Sequence, residues 1–321
     1  MTQQTAAGDD RLTTYIYDYA ADGDRLRKVS YPDERWVEYF YDDLGRRVRM
    51  TDSAGGDTRY IFDSAGRLSQ LLDASNNPIV EYSYDATGNL TRTNKANKTY
   101  TTYDYDAAGQ ILHLINHAGD DSVNTRFDYI YDARGHRLTM GTIDGNWAYD
   151  YDSTGQLIHA VFTSTNPEIS DHDLRYAYDT LGNRISTVIN GVTTDYVAND
   201  RNQYASVGGV AQMYDADGNL VNDGVDTYTY DDGNRLIRMA GPDGVTEYEY
   251  DAFGSRTALI RNGEREAYLL EPSGLVNVLA EINTTRTSRN VYGHGLELRY
   301  ESVRAESFFE LAAQFFFCKS G

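Results

Sequence analysis

The string Tyr-Asp-x-x-Gly returns eight times along this chain: Asp42 with Gly45, Asp85 with Gly88, Asp106 with Gly109, Asp132 with Gly135, Asp152 with Gly155, Asp179 with Gly182, Asp215 with Gly218, and Asp251 with Gly254. The chain's own Tyr, Asp and Gly frequencies would supply about 0.3 such strings by chance. Degenerate copies fill the gaps, at Asp63 with Gly66 after Phe62, Asp231 with Asn234 after Tyr230, Asp18 with Gly23 after Tyr17, and more weakly at Asn199 with Asn202 and Glu271 with Gly274. The period runs from 16 to 27 residues, mostly 20 to 22. A repeat of this kind makes each copy one supersecondary unit that buries its faces against its neighbours, so it decides the fold before any single residue does.

The unit follows from its residues. Tyr at i and i+2, as in Tyr82 with Tyr84 or Tyr248 with Tyr250, places two rings on one face of an extended strand. The Asp that follows can bond the backbone two residues on and open a type I turn. Gly three residues later can take the positive φ that returns the chain to a strand through a bulge, and Asn at 234 is the next most tolerant residue there. A second turn signal stands midway between copies, at Asp144-Gly145, Asn190-Gly191, Asp243-Gly244 and Asn262-Gly263, with looser clusters at 53–57 and 74–78. Each period is then two short strands and two turns, which predicts an all-β antiparallel meander of about 26 strands. At about 4.8 Å per strand such a ribbon is on the order of 125 Å wide, and twist must curl it into an open, curved strip.

Composition agrees with this reading. Tyr and Gly each occur 28 times, and Asp outnumbers Glu by 35 to 14, which excludes a helical bundle because all three favoured residues are poor in helix interiors. A chain of 321 residues would ordinarily split into two domains, but a continuous repeat needs no such boundary. The organisation expected is a polar tail over 1–10, the repeat region over 11–300, and an apolar, helix-patterned tail over 301–321 carrying five Phe. A formal net charge of −20 leaves no footprint for nucleic acid or an anionic membrane, so neither is expected as a partner. The lone Cys318 can form no internal disulfide, and no apolar stretch is long enough to span a bilayer as a helix.

The Tyr-x-Tyr-Asp-x-x-Gly units, with Leu or Ile two residues after the Gly at Leu68, Leu90, Ile111, Leu157 and Leu220, resemble the YD repeats of the Rhs family. That family includes the shell of insecticidal toxin complexes, polymorphic toxins, wall-associated bacterial proteins and the teneurins. The resemblance covers about residues 11 to 300. It implies a spiral β-shell that encloses a C-terminal toxin or other cargo, a secreted or cell-surface location, and, as partner, the remainder of a larger polypeptide or its encapsulated C-terminal domain. The Tyr-Gly-His-Gly-Leu segment from Tyr292 to Leu296 is similar to the start of the family's core-associated module. After Tyr300 the period stops, so the chain reads as a truncated or fragmentary member.

Sharper chemistry is weighed against turn and strand roles. Asp215, Asp217 and Asn219 alternate as calcium ligands would, but Leu220 stands where a calcium loop needs Gly, which leaves a repeat turn. His113 and His117 are four apart in a strand-like context with Leu114 where a zinc protease needs Glu. The string Glu271-Pro-Ser-Gly lies in phase with the repeat and is taken as a degenerate turn; a self-cleavage motif of Asp-Pro-x-Gly type is not matched. No catalytic, metal or cofactor residues are assigned. The reading is a non-enzymatic YD-repeat shell segment whose Asp and Gly residues set turns. The alternatives are a surface adhesion module contacting carbohydrate through Tyr and Asp, and an autoprocessing toxin precursor.

Overall fold

The computed structural model describes residues 2–4, 12–20, 23–273 and 276–303, so most of the tail expected over 301–321 and most of the 1–10 segment lie outside the described residues, while residues 301–303 continue the strand Leu296–Val303. Among the described residues there is no helix and there are thirty strands, from Thr2–Gln4 to Leu296–Val303. The all-β meander predicted from the repeat is the observed fold. The strand count exceeds 26 partly because the two 16-residue periods after Asn199 are built from strands of two to four residues, including Val210–Ala211, Met213–Tyr214 and Leu220–Asn222.

The strands form one twenty-stranded and one ten-stranded sheet, changing over between Val210–Ala211 and Met213–Tyr214. Neighbouring strands pair antiparallel, as between Trp36–Tyr41 and Arg47–Asp52 or between Gly145–Tyr151 and Leu157–Ser164. Among the described residues no ladder joins the first and last strands, so the meander is open.

A bulge recurs at the same place in hairpin after hairpin of the Tyr-Asp-x-x-Gly type. In the hairpin of Asp106 the register slips between Asp104 and Tyr105, so that Tyr105 pairs with Ile111 and Asp104 with His113. The slip recurs before Tyr41, Tyr131, Tyr151, Tyr178 and Tyr250. It puts the Tyr before each Asp opposite the residue five after that Asp.

The chain divides into two compact units, one of residues 1–81 with 229–321 and one of residues 82–228. In the first, two distant stretches pack on each other. Val29, Val37, Tyr39, Tyr60 and Leu71 are buried, and so are Ala258, Leu269, Leu270, Leu279 and Ala280. Tyr31 Oη donates to Leu270 O at 2.7 Å, and the Tyr15 and Phe253 rings meet edge to face. In the second unit, the apolar side chains buried to the same degree are Tyr82, Ala160 and Phe162. Its strands alternate instead between half-buried and exposed residues, as in Gly145–Tyr151.

Candidate functional site

The repeated turn is the most elaborated feature of the molecule. In the turn of Asp152, Oδ1 accepts the backbone N–H groups of Thr154 and Gln156, each at 2.9 Å, and Oδ2 accepts Gln156 Nε2 at 2.9 Å. The backbone closes the same loop, Asp152 N donating to Gln156 O and Gly155 N to Asp152 O. Gly155 has φ +90°, where a side chain would strain the backbone. The same bonds recur around Asp42, Asp63, Asp85, Asp106, Asp132, Asp179, Asp215, Asp231 and Asp251, and the glycines at 45, 66, 88, 109, 135, 182, 218 and 254, with Asn234, all have positive φ. Hydrogen bonds from Thr154 and the Gln156 backbone hold the Asp152 carboxyl at about 2; at Asp85, Thr87 and then Asn89 do the same, again to about 2.

The looser midway clusters hold the same turn, a feature the sequence reading missed. Asp52 Oδ1 accepts Ala54 N and Gly56 N, with Gly55 at φ +88°, and Asp73 repeats this with Asn76 at φ +65°. Asp52-x-x-Gly55 and Asp73-x-x-Asn76 are visible as strings; what they lack is the preceding Tyr.

That Tyr has a role beyond its ring. Its hydroxyl reaches back to the main-chain carbonyl two residues after the Gly of the preceding turn: Tyr105 to Leu90 O at 2.9 Å, Tyr131 to Ile111 O at 2.7 Å, Tyr178 to Leu157 O at 2.9 Å, and Tyr250 to Leu236 O at 2.7 Å. Successive units are therefore stitched by a phenol and a carbonyl. The other Tyr of each unit stacks less on Tyr than the strand pattern suggests. Arg47 lies between Tyr39 and Tyr60 at 5.8 and 4.7 Å, Arg184 between Tyr176 and Tyr196 at 5.3 and 5.7 Å, and Arg256 between Tyr248 and Tyr268 at 5.6 and 5.5 Å. Each of these arginines occupies the position filled by Leu or Ile in other units.

Two ion pairs, one buried and one partly buried, hold the distant stretches of the first unit together. Arg289 Nη2 meets Asp52 Oδ2 at 2.7 Å with both side chains buried, and Arg289 Nη1 donates to Ala54 O. Arg47 Nη1 meets Glu271 Oε1 at 3.1 Å. Glu271 Oε1 also accepts Ser273 N and Ser273 Oγ, the first at 3.2 Å, while Oε2 lies 3.4 Å from Asn277 Nδ2. Glu271 thus uses its carboxylate as the repeat aspartates do, with an arginine added. Burial, and then the Glu271 carboxylate, push the Tyr39 phenol up, and its hydroxyl has no hydrogen-bond partner among the described residues.

The remaining candidates fall into separate places. Asp215 Oδ1 accepts Asp217 N and Asn219 N, and its Oδ2 accepts Asn219 Nδ2, so both oxygens are used within the turn. His113 and His117 lie on the strand Ile111–His117, the first against Asp128 and the second stacked on Tyr100. Among the described residues no group of three or more potential ligands converges.

Antiparallel hairpins, Asp-x-x-Gly turns and tyrosine stitches thus follow one another in series. Residues 47–191 match the family described as Teneurin YD-shell, so the resemblance read from the repeats holds over that stretch. By fold the chain is similar to a chain in the structure of the Photorhabdus luminescens Tc holotoxin pore, with a TM-score of 0.69 and 17% identity over 92% of this chain and 17% of that one. It is equally similar to a chain in the crystal structure of TcdB2-TccC3-TEV, with a TM-score of 0.70 and 17% identity at the same coverage. By sequence it is 32% identical over 129 residues to the tRNA nuclease WapA of Bacillus subtilis strain 168, which is 38% of this chain and 6% of that protein. The chain thus spans a small part of the length of the relatives it matches.

Proposed function

We propose that this chain is a non-enzymatic, architectural segment of a YD-repeat shell that, joined to the rest of a larger Rhs-type polypeptide, walls off a C-terminal domain or other cargo. The observation that carries this reading is where the polar chemistry goes. The aspartates bond their own turns, the tyrosine hydroxyls bond the neighbouring unit, and the arginines are taken up by rings and carboxylates of the chain itself. Side chains committed in this way build a wall. On this reading Asp42, Gly45, Asp63, Gly66 and their counterparts through Asp251 and Gly254 are structural turn residues, residues 11–300 act as one repeat region, and the protein works in a secreted or cell-surface setting. The nuclease named in WapA belongs to a protein of which this chain matches 6%, and it is not carried over.

The test is trypsin digestion of the complete gene product, followed by mass spectrometry of the segment downstream of the repeats. Protection of that segment in the native protein, lost on mild denaturation, is expected. Equal digestion in both states would overturn encapsulation, and saturable binding on a glycan array would promote the adhesion reading. The intact mass of this chain should stay constant on incubation; cleavage beside Glu271 that Glu271→Ala abolishes would promote the precursor.

A further inference from the structure

In several units the residue four after the repeat Asp caps its own turn and also reaches toward the next one. A Cβ built on Gly155 would meet His136 Nε2 at 3.0 Å; on Gly135, Gln110 Oε1 at 3.4 Å; on Gly182, Gln156 Oε1 at 3.4 Å; on Gly218, Gln203 Nε2 at 3.1 Å; and on Gly66, Arg46 Nη1 at 3.9 Å. The slot between neighbouring turns is therefore filled by a planar, nitrogen-bearing group. Its walls recur. The filler faces the aromatic residue before the next Asp, with Arg46 4.7 Å from the Phe62 ring, Arg235 5.3 Å from Tyr250, and His136 stacked on Tyr151 at 4.8 Å. Where the filler is Arg235, Nη1 donates to Asp251 O at 3.0 Å, and Arg25 makes the same bond to Asp42 O at 3.2 Å.

Between the turns of Asp85 and Asp106 the corresponding residue is Asn89. Its short side chain is held back by Asp85 Oδ2 and Thr87 Oγ1, each at 3.0 Å, and nothing lies within 4 Å of a Cβ built on Gly109. A cleft of about 520 Å³ opens there, lined by Asn89, Tyr103, Asp104, Tyr105, Asp106 and Gly109 among others. Tyr105 is the aromatic residue and Asp106 O the carbonyl that the filled slots use. Asp104 also borders the cleft, and its side chain is exposed.

We propose that this cleft is a vacant copy of the slot and takes a guanidinium group, presented as an arginine side chain by a partner polypeptide. The molecule itself shows the ligand chemistry, since Arg46 and Arg235 occupy the equivalent position elsewhere. A guanidinium there would stack on Tyr105 and donate to the second lone pair of Asp106 O. No cation lines the cleft, so an anionic ligand has no partner. The net charge of −20 draws basic polypeptides and opposes the carboxylate of free arginine.

The test is titration of the full chain, isotope-labelled at Ala, Gly and Asp, with N-acetyl-L-arginine amide, read by amide NMR. Saturable shifts at Asp106, Ala108 and Gly109 are expected. Asn89→Arg should fill the slot from within and abolish those shifts, and Asn89→Gln, matching Gln110 and Gln156, should weaken them if the Arg variant fails to fold. Absence of saturable shifts, unchanged binding in both Asn89 variants, or equal response to N-acetyl-L-lysine amide would overturn the guanidinium site. Free L-arginine binding as tightly as the blocked amide would overturn the polypeptide source.

Discussion

The two compact units are made from the same repeat and differ in what lies over it. In residues 82–228 the turns, bulges and tyrosine stitches are the same as elsewhere, yet strands such as Val192–Ala198 show alternating half-buried and exposed positions and no fully buried one. In residues 1–81 with 229–321, the strand Glu264–Glu271 is buried continuously from Ala267 to Glu271, on both of its faces. The repeat supplies the sheet, and the sequence-distant contact supplies the core. Stability of the second kind depends on a few long-range contacts, whereas the first kind is spread over many similar local ones.

The two tryptophans allow this difference to be measured, because Trp36 belongs to one unit and Trp147 to the other. Variants retaining one of them report urea unfolding of each unit by fluorescence. The largest effect is expected for Arg289→Ala, which leaves the buried Asp52 carboxylate without its cation and should cost about 3–5 kcal/mol. That loss should appear at Trp36; an equal loss at Trp147 would break the distinction between the units. Next is Gly155→Ala, which forces a side chain into the left-handed region and toward His136; it should cost about 1–2 kcal/mol, seen at Trp147.

A smaller contrast separates stitched from orphaned hydroxyls. Tyr178→Phe removes the bond to Leu157 O and should cost about 0.5–1.5 kcal/mol, while Tyr39→Phe removes a buried hydroxyl without a hydrogen-bond partner among the described residues and should be neutral or slightly stabilising. Equal losses in the two variants would show that the stitch contributes no more than ring packing does. The smallest effect is a pH dependence. Asp152 has its carboxyl held at about 2 in the folded protein, below the unfolded value near 3.9, so its contribution is present above about pH 4 and is lost as pH falls toward 2. Asp152→Asn should flatten the acid limb of the urea midpoint over that window relative to the parent chain and leave the profile above pH 5 unchanged in slope.

Much of this was legible in the sequence, for a physical reason. An Asp turn closed by a left-handed Gly is a local device: Asp152, Gly155 and Gln156 need no information from elsewhere in the chain, so the string and its spacing were enough to place the hairpins. The tyrosine stitch was hidden because its acceptor is a main-chain carbonyl, which has no residue type to recognise; Leu90, Ile111 and Leu157 show only a preference for an apolar side chain at that point. The Asp52–Arg289 and Arg47–Glu271 pairs were out of reach because they join residues 237 and 224 apart, among many exposed charges of the same kinds. The cleft beside Asn89 depends on one side chain being short, which becomes meaningful only when the longer ones at 110, 136 and 156 are seen filling the same place.

The tyrosine stitches all point one way, from each hairpin to the one before it. A ribosome releases the chain in that order, at roughly 5–20 residues per second, so a new hairpin emerges every one to four seconds or so, against microseconds for it to close. Each arrival finishes its predecessor. During synthesis the growing wall therefore exposes a single uncompleted course, the newest, and a stalled or shortened message would yield a protein sound along its length with one raw edge at its growing end.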